Sequence, residues 1–107
     1  MAVIDLTDDT IGELVAVATV PVLVDVTAPW CAPCRMMEPV LDELAMRAPD
    51  ELVVARLDAD LHPETARRLS VMSFPTMIVF AEGEERGRLV GARGLGRLRE
   101  DLRAVLG

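Results

Sequence analysis

The chain holds two cysteines, three apart in Trp30-Cys31-Ala32-Pro33-Cys34, where an extended apolar run gives way to a helical pattern. A Cys-x-x-Cys opening a helix sets the first sulfur among unpaired backbone N–H groups at the positive end of the helix dipole, which favours the thiolate. The second sulfur falls one turn deeper, within disulfide reach, so the bond closes a very small loop with little backbone movement. The chemistry this spacing points to is thiol–disulfide exchange. Cys31, at the open helix end, reads as the nucleophile, with a pKa lowered towards neutrality, and Cys34 as the thiol that resolves the mixed disulfide. Two inert cysteines buried in an apolar helix start are the alternative, but burial alone does not call for this spacing beside Trp and Pro.

Upstream lies Val22-Leu23-Val24-Asp25-Val26, a β-branched apolar run of the kind buried on both faces of a parallel sheet and broken only by Asp25. Desolvation raises the pKa of such a carboxyl and makes it a candidate proton acceptor for Cys34, directly or through a water. A surface-facing Asp on an edge strand is the competing reading. His62 stands alone before Pro63, and two Cys with one His at no ligand spacing make a poor zinc site, so no metal is expected. Asp58, Asp60 and Glu64 read as helix-start charge and solvated surface rather than a calcium loop.

The elements that must position these residues follow from periodicity. Ala2 to Leu6 reads as a short strand, and Thr7, Asp8 and Asp9 offer N-cap oxygens to a helix carrying Ile11, Leu14, Val15 and Ala18, ended by Pro21. From Pro33, apolar residues at Met37, Val40, Leu41, Leu44, Ala45 and Ala48 mark a long helix that Pro39 should kink. Leu52–Leu57 is a strand, Pro63–Leu69 a short helix, and Thr76–Phe80 a strand that turns through Glu82-Gly83-Glu84 into Arg86–Val90; a helix over 95–106 closes the chain. The order β-α-β-α-β-α-β-β-α implies an α/β fold, a mixed sheet of five strands covered on both faces by four helices. Active sites of open α/β sheets lie at the carboxyl ends of parallel strands, where the second strand delivers Cys31.

At 107 residues, 51% hydrophobic, the chain is expected to form a single domain over 1–107. A formal charge of −7 and an aromatic set limited to Trp30, Phe74 and Phe80 disfavour nucleic acid as a partner. Neither a signal-peptide pattern nor an apolar window of membrane length is read in the sequence, so a cytoplasmic protein is expected, with no membrane partner and a monomer as the expected state. In a reducing cytosol a close cysteine pair is more often catalytic or metal-binding than a structural staple.

Nearly end to end, the sequence resembles the thioredoxin family. The resemblance is carried by Leu6-Thr7-Asp8-Asp9, Val22-Leu23-Val24-Asp25, Ala28-x-Trp30-Cys31-x-Pro33-Cys34, Leu57-Asp58-x-Asp60, Phe74-Pro75-Thr76, Gly83-Glu84 and Val90-Gly91-Ala92, in the family's order and spacing. It implies the thioredoxin fold and a protein-disulfide reductase. It also implies a cis bond before Pro75, the counterpart of a Lys near the buried acid at Arg56, and an apolar docking rim of Trp30, Ala32, Pro33, Met72, Phe74, Pro75, Gly91 and Ala92. A guanidinium cannot give up its proton, so Arg56 would act on Asp25 as a fixed field and not as a relay. A strand-start proline without a role is the alternative for Pro75.

The resemblance further implies that electrons come from NADPH through a separate flavin-containing thioredoxin reductase and pass to disulfide-containing client proteins. The chain itself has no Gly-rich phosphate loop and is expected to bind no cofactor. Ala32 stands where the family usually has Gly, Arg35 where it has Lys, Thr27 at a site usually aromatic, Pro29 at one usually acidic or polar, and Ser73 at a frequent Gly. These departures bear on redox potential and partner choice. A client-specific dithiol oxidoreductase of more oxidising potential and a non-catalytic binding module are the other functions considered.

Overall fold

The computed structural model describes residues 2–107. Five strands form one sheet: β1 (Ile4–Leu6), β2 (Val22–Thr27), β3 (Val53–Asp58), β4 (Thr76–Ala81) and β5 (Glu84–Val90). Their order across the sheet is β1-β3-β2-β4-β5, so β2 is central. β1 and β2 both run parallel to β3, while β4 runs antiparallel to β2 and to β5. The helices are α1 (Ile11–Val17), α2 (Ala32–Arg47), α3 (Pro63–Arg68) and α4 (Leu95–Leu106).

Strand alternation sorts the core into two layers. Val22, Val24 and Val26 of β2, with Ile78 and Phe80 of β4, pack with Ile11 of α1 and Ala66 of α3. Leu23 of β2, with Met77 and Val79 of β4, packs on the other face with Met37, Leu41 and Leu44 of α2 and Leu98 and Leu102 of α4. By the same alternation Asp25 shares the Leu23 face, under α2, and it is 1% exposed. It therefore lies on a central strand and not at an edge.

Boundaries differ from the sequence-based expectation where local chemistry is outweighed by pairing. β1 starts at Ile4, and β3 runs Val53–Asp58 because Asp58 still pairs with Thr27. The hairpin loop is two residues, Glu82 at φ 55° and Gly83 at φ 79°; a turn with both central residues left-handed matches the strand twist and lets β5 begin at Glu84. The helix α2 continues through Pro39, whose missing N–H leaves the Arg35 carbonyl without its usual donor. Asp8 does not cap α1, whose N-cap is Thr10. Its Oδ1 instead accepts from the Thr65 N–H at 2.8 Å and the Thr65 hydroxyl at 2.6 Å, capping α3 across 57 residues of sequence.

Leu41 lies fully buried between α2 and the sheet. Leu41→Ala should lower the unfolding free energy by about 2–5 kcal/mol, whereas Met46→Ala on the exposed side of the same helix should stay within about 0.5 kcal/mol; urea unfolding at fixed pH measures both.

Candidate active site around the Cys31–Cys34 pair

β2 ends at Thr27, and the short link that follows sets Cys31 as the N-cap of α2, with Pro33 in the first turn. The Cys34 N–H donates to Cys31 Sγ at 3.2 Å, so one of the orphan donors of the helix start is already turned on that sulfur. The two sulfurs are joined in a disulfide, with Cα atoms 5.2 Å apart. In this form Cys31 is less open than a helix end alone suggests, because it packs with Ala28 and Phe74. It keeps 5% exposure against 1% for Cys34, which leaves the Cys31 side as the approach to the bond.

Asp25 pairs in register with Arg56 of β3 and Met77 of β4. Neither of its carboxylate oxygens meets a hydrogen-bond donor among the described residues. Its nearest cation is the Arg56 guanidinium, with Nε at 4.0 Å from Oδ2, an ion pair without a hydrogen bond. Burial therefore dominates and pushes the Asp25 carboxyl from 3.8 up to about 7; Arg56 opposes the rise and the Glu38 charge adds to it. Glu38 is the residue that the sequence reading passed over. It lies on α2 one turn after Cys34, and together with Arg56, Asp58, His62 and Pro29 it lines a groove of about 410 Å³ on the side of the sheet edge.

Next to the disulfide, Phe74 and Pro75 link three separate segments. Trp30 is 65% exposed and Met72 91% exposed, among the most open large apolar side chains of the chain. Trp30 meets Phe74 edge to face, ring centres 5.7 Å apart, and its indole N–H donates to Asp60 Oδ1 at 3.3 Å. The Phe74–Pro75 bond is cis, and the Pro75 carbonyl accepts from the Gly91 N–H at 2.9 Å, which brings the end of β5 to the same place. Ala32, Pro33 and Ala92 are exposed. Met36, 68% exposed one turn along α2, shares a shallow pocket with Ala92 and went unnoticed in the sequence because its helix stripe reads as ordinary surface.

The remaining candidates have structural surroundings. Asp58 Oδ1 accepts from the N–H groups of Asp60 and Leu61 and so shapes the turn before α3, and Glu64 pairs with Arg67. Among the described residues no group of three or more His, Cys, Asp or Glu is placed to hold a metal ion, and no helix is long and apolar enough to cross a membrane.

The elevated Asp25 pKa carries a sign for stability. Over the window from 3.8 to about 7 the folded chain keeps a proton that the unfolded chain has lost, so this group's contribution is fully present below 3.8 and disappears as pH rises through 7. The loss is on the order of 4 kcal/mol. Urea unfolding of the native chain and of Asp25→Asn from roughly pH 4 to pH 8 should give curves that diverge as pH rises, the variant becoming the more stable; parallel curves would contradict the assignment.

A family model described as Thioredoxin matches residues 2–104. The chain is 45% identical over 105 residues to a protein named Thioredoxin from Mycobacterium tuberculosis (strain ATCC 25618 / H37Rv), covering 98% of this chain and 90% of that one. It is 44% identical over 107 residues to Thioredoxin of Mycolicibacterium smegmatis, covering 98% and 96%. It is also 46% identical over 103 residues to the Bifunctional thioredoxin reductase/thioredoxin of Mycobacterium leprae, covering 96% of this chain and 22% of that longer one. Likeness of this degree along nearly the whole sequence, with the cysteine pair at the mouth of the sheet, means that the chain belongs to the thioredoxin family of protein-disulfide reductases.

Proposed function

We propose that Cys31 and Cys34 carry the reductase chemistry, Cys31 as nucleophile, Cys34 as resolving thiol and Asp25 as the group that moves the proton. The observation that carries this reading is the Cys31 sulfur at the helix N-cap, accepting the Cys34 N–H, with a buried carboxyl on the strand beneath the same helix. In the dithiol form the Cys31 thiolate, favoured by the helix start, attacks one sulfur of a client disulfide and displaces the other as a thiolate. Cys34 then gives its proton to Asp25 and attacks Cys31. The client leaves with both sulfurs reduced, and the two electrons it has gained are balanced by oxidation of the Cys31–Cys34 pair. A carboxyl titrating at about 7 is matched to that transfer at neutral pH. Arg56, permanently charged, holds the acid's pKa down without exchanging a proton with it.

The family acts with thioredoxin reductase, and the name of the Mycobacterium leprae relative joins both activities in one chain. For this chain, recharging by a separate flavin-containing, NADPH-dependent thioredoxin reductase is proposed, the cofactors belonging to that partner. Client proteins would dock on Trp30, Ala32, Pro33, Met72, Phe74, Pro75, Gly91 and Ala92, an apolar surface around an opening that reaches Cys31. A cytoplasmic, monomeric, single-domain protein without nucleic-acid or membrane partners completes the reading, supported by the acidic charge of −7 and by the two core layers closed within the chain.

Cys31→Ser should abolish reduction of insulin disulfides, and Cys34→Ser should stall the reaction at a covalent mixed disulfide through Cys31, seen as dithiothreitol-sensitive bands on non-reducing gels. Retained insulin reduction in the double Cys→Ser variant would instead make this a binding module. Equilibration of the native pair with glutathione measures its potential and separates a general reductase from a more oxidising, client-specific dithiol protein.

A further inference from the structure

The segment from Val90 to Gly96 contains Gly91, Gly94 and Gly96, and its start is bonded to the Pro75 carbonyl, next to Phe74, which packs on the cysteine pair. The backbone is anchored at both ends of this stretch: the Gly91 N–H donates to the Pro75 carbonyl at 2.9 Å, the Gly94 carbonyl accepts from the Leu98 N–H at 3.0 Å, and Gly96 lies inside α4. A Cβ built on any of the three meets nothing within 4 Å among the described residues, and Gly91 sits at φ +95°. Glycine loses more conformational freedom on ordering than any other residue, so a side-chain restraint on the stretch between these two anchors adds to its order.

Arg93 supplies that side-chain restraint between the two anchors. Its side chain is 15% exposed, and Nη2 donates to the Val90 carbonyl at 2.6 Å and to the Gly91 carbonyl at 3.3 Å. Nε donates to the same Gly91 carbonyl at 3.3 Å, and Nη1 donates to Asp101 Oδ2 on α4. Its backbone N–H lies 3.3 Å from Met37 Sδ on α2. Asp101 is steadied in turn by Arg97 Nε at 3.2 Å. One side chain thus closes on two carbonyls of its own turn and anchors that turn to α4, while the backbone ties it to α2. The planar fork of guanidinium donors makes this possible; an ammonium cannot reach all these acceptors together.

We propose that Arg93, held by Asp101, is a positioning residue that sets the Gly91–Ala92 segment in the shape against which protein substrates dock. The proposal rests on the reading of Gly91 and Ala92 as docking residues. Arg93 touches no reacting sulfur, so its contribution falls on recognition of a protein disulfide and not on exchange with a small one. With the turn already ordered in the free protein, little further ordering remains for the moment of binding.

The test measures KM and kcat for insulin reduction by the full chain, together with the rate and equilibrium of exchange with glutathione disulfide, at a temperature where circular dichroism shows every variant folded. Arg93→Leu should raise KM for insulin about fivefold, the scale of ordering a short segment on binding, with kcat, glutathione exchange and redox potential unchanged. Arg93→Lys should fall between, and carries the test if Arg93→Leu does not fold. Ala92→Glu probes the docking reading itself by placing a charge on the segment. If Ala92→Glu raises KM and the Arg93 variants do not, the positioning role is overturned while the docking surface stands. If Ala92→Glu leaves KM unchanged, the docking reading fails and the inference with it. Equal losses in insulin reduction and glutathione exchange for the Arg93 variants would also overturn it, since a general structural defect moves both.

Discussion

A carboxyl group placed on the central strand of a sheet, under a helix and without a hydrogen-bond donor among the described residues, cannot ionise as freely as it would in water. Asp25 meets only the Arg56 guanidinium, at 4.0 Å, and desolvation outweighs that attraction. The consequence is a proton held up to about neutrality on the helix-facing side of β2. Evenly apolar packing at this position would make a more stable protein. Apart from this acid, the two core layers on either side of the sheet are built from apolar side chains.

The same central strand governs where the sulfurs stand. β2 is paired on both sides, parallel with β3 and antiparallel with β4, so its end is fixed relative to both neighbours. α2 starts immediately beyond it, and its first turn is held down by packing of Cys31 and Cys34 with Ala28 and Phe74. Helix dipole and orphan N–H groups then act on Cys31 from the helix start. Local helix-start physics and the long-range pairing of the sheet converge on one bond.

Access to that bond depends on segments remote in sequence. Trp30 stands over the helix start, Phe74 and Pro75 come from the lead into β4, and Gly91 is brought in by its N–H bond to the Pro75 carbonyl. Trp30 is itself held by Asp60, and the segment after β5 by Arg93 and Asp101.

Period and punctuation made much of this legible in advance. The alternation of strands and helices, the Cys-x-x-Cys at a strand-to-helix junction and the lone acid in an apolar strand are properties of neighbours in sequence, so burial, helix start and reactive spacing could be read from residue types alone. What the chain order could not reveal are effects that depend on which distant groups end up within a few ångströms. The Glu38 charge acts on Asp25 through the fold, Asp8 caps α3 instead of the adjacent α1, and Arg93 finds its acceptors on a turn and on a helix eight residues away. The sequence by itself determined the elements, the core and the reactive pair, because these follow from local periodicity and side-chain chemistry. Tertiary structure alone decided how far the cysteines are covered, how strongly the acid holds its proton and what holds the segment after β5, because desolvation and hydrogen-bond geometry exist only once separate elements have packed together.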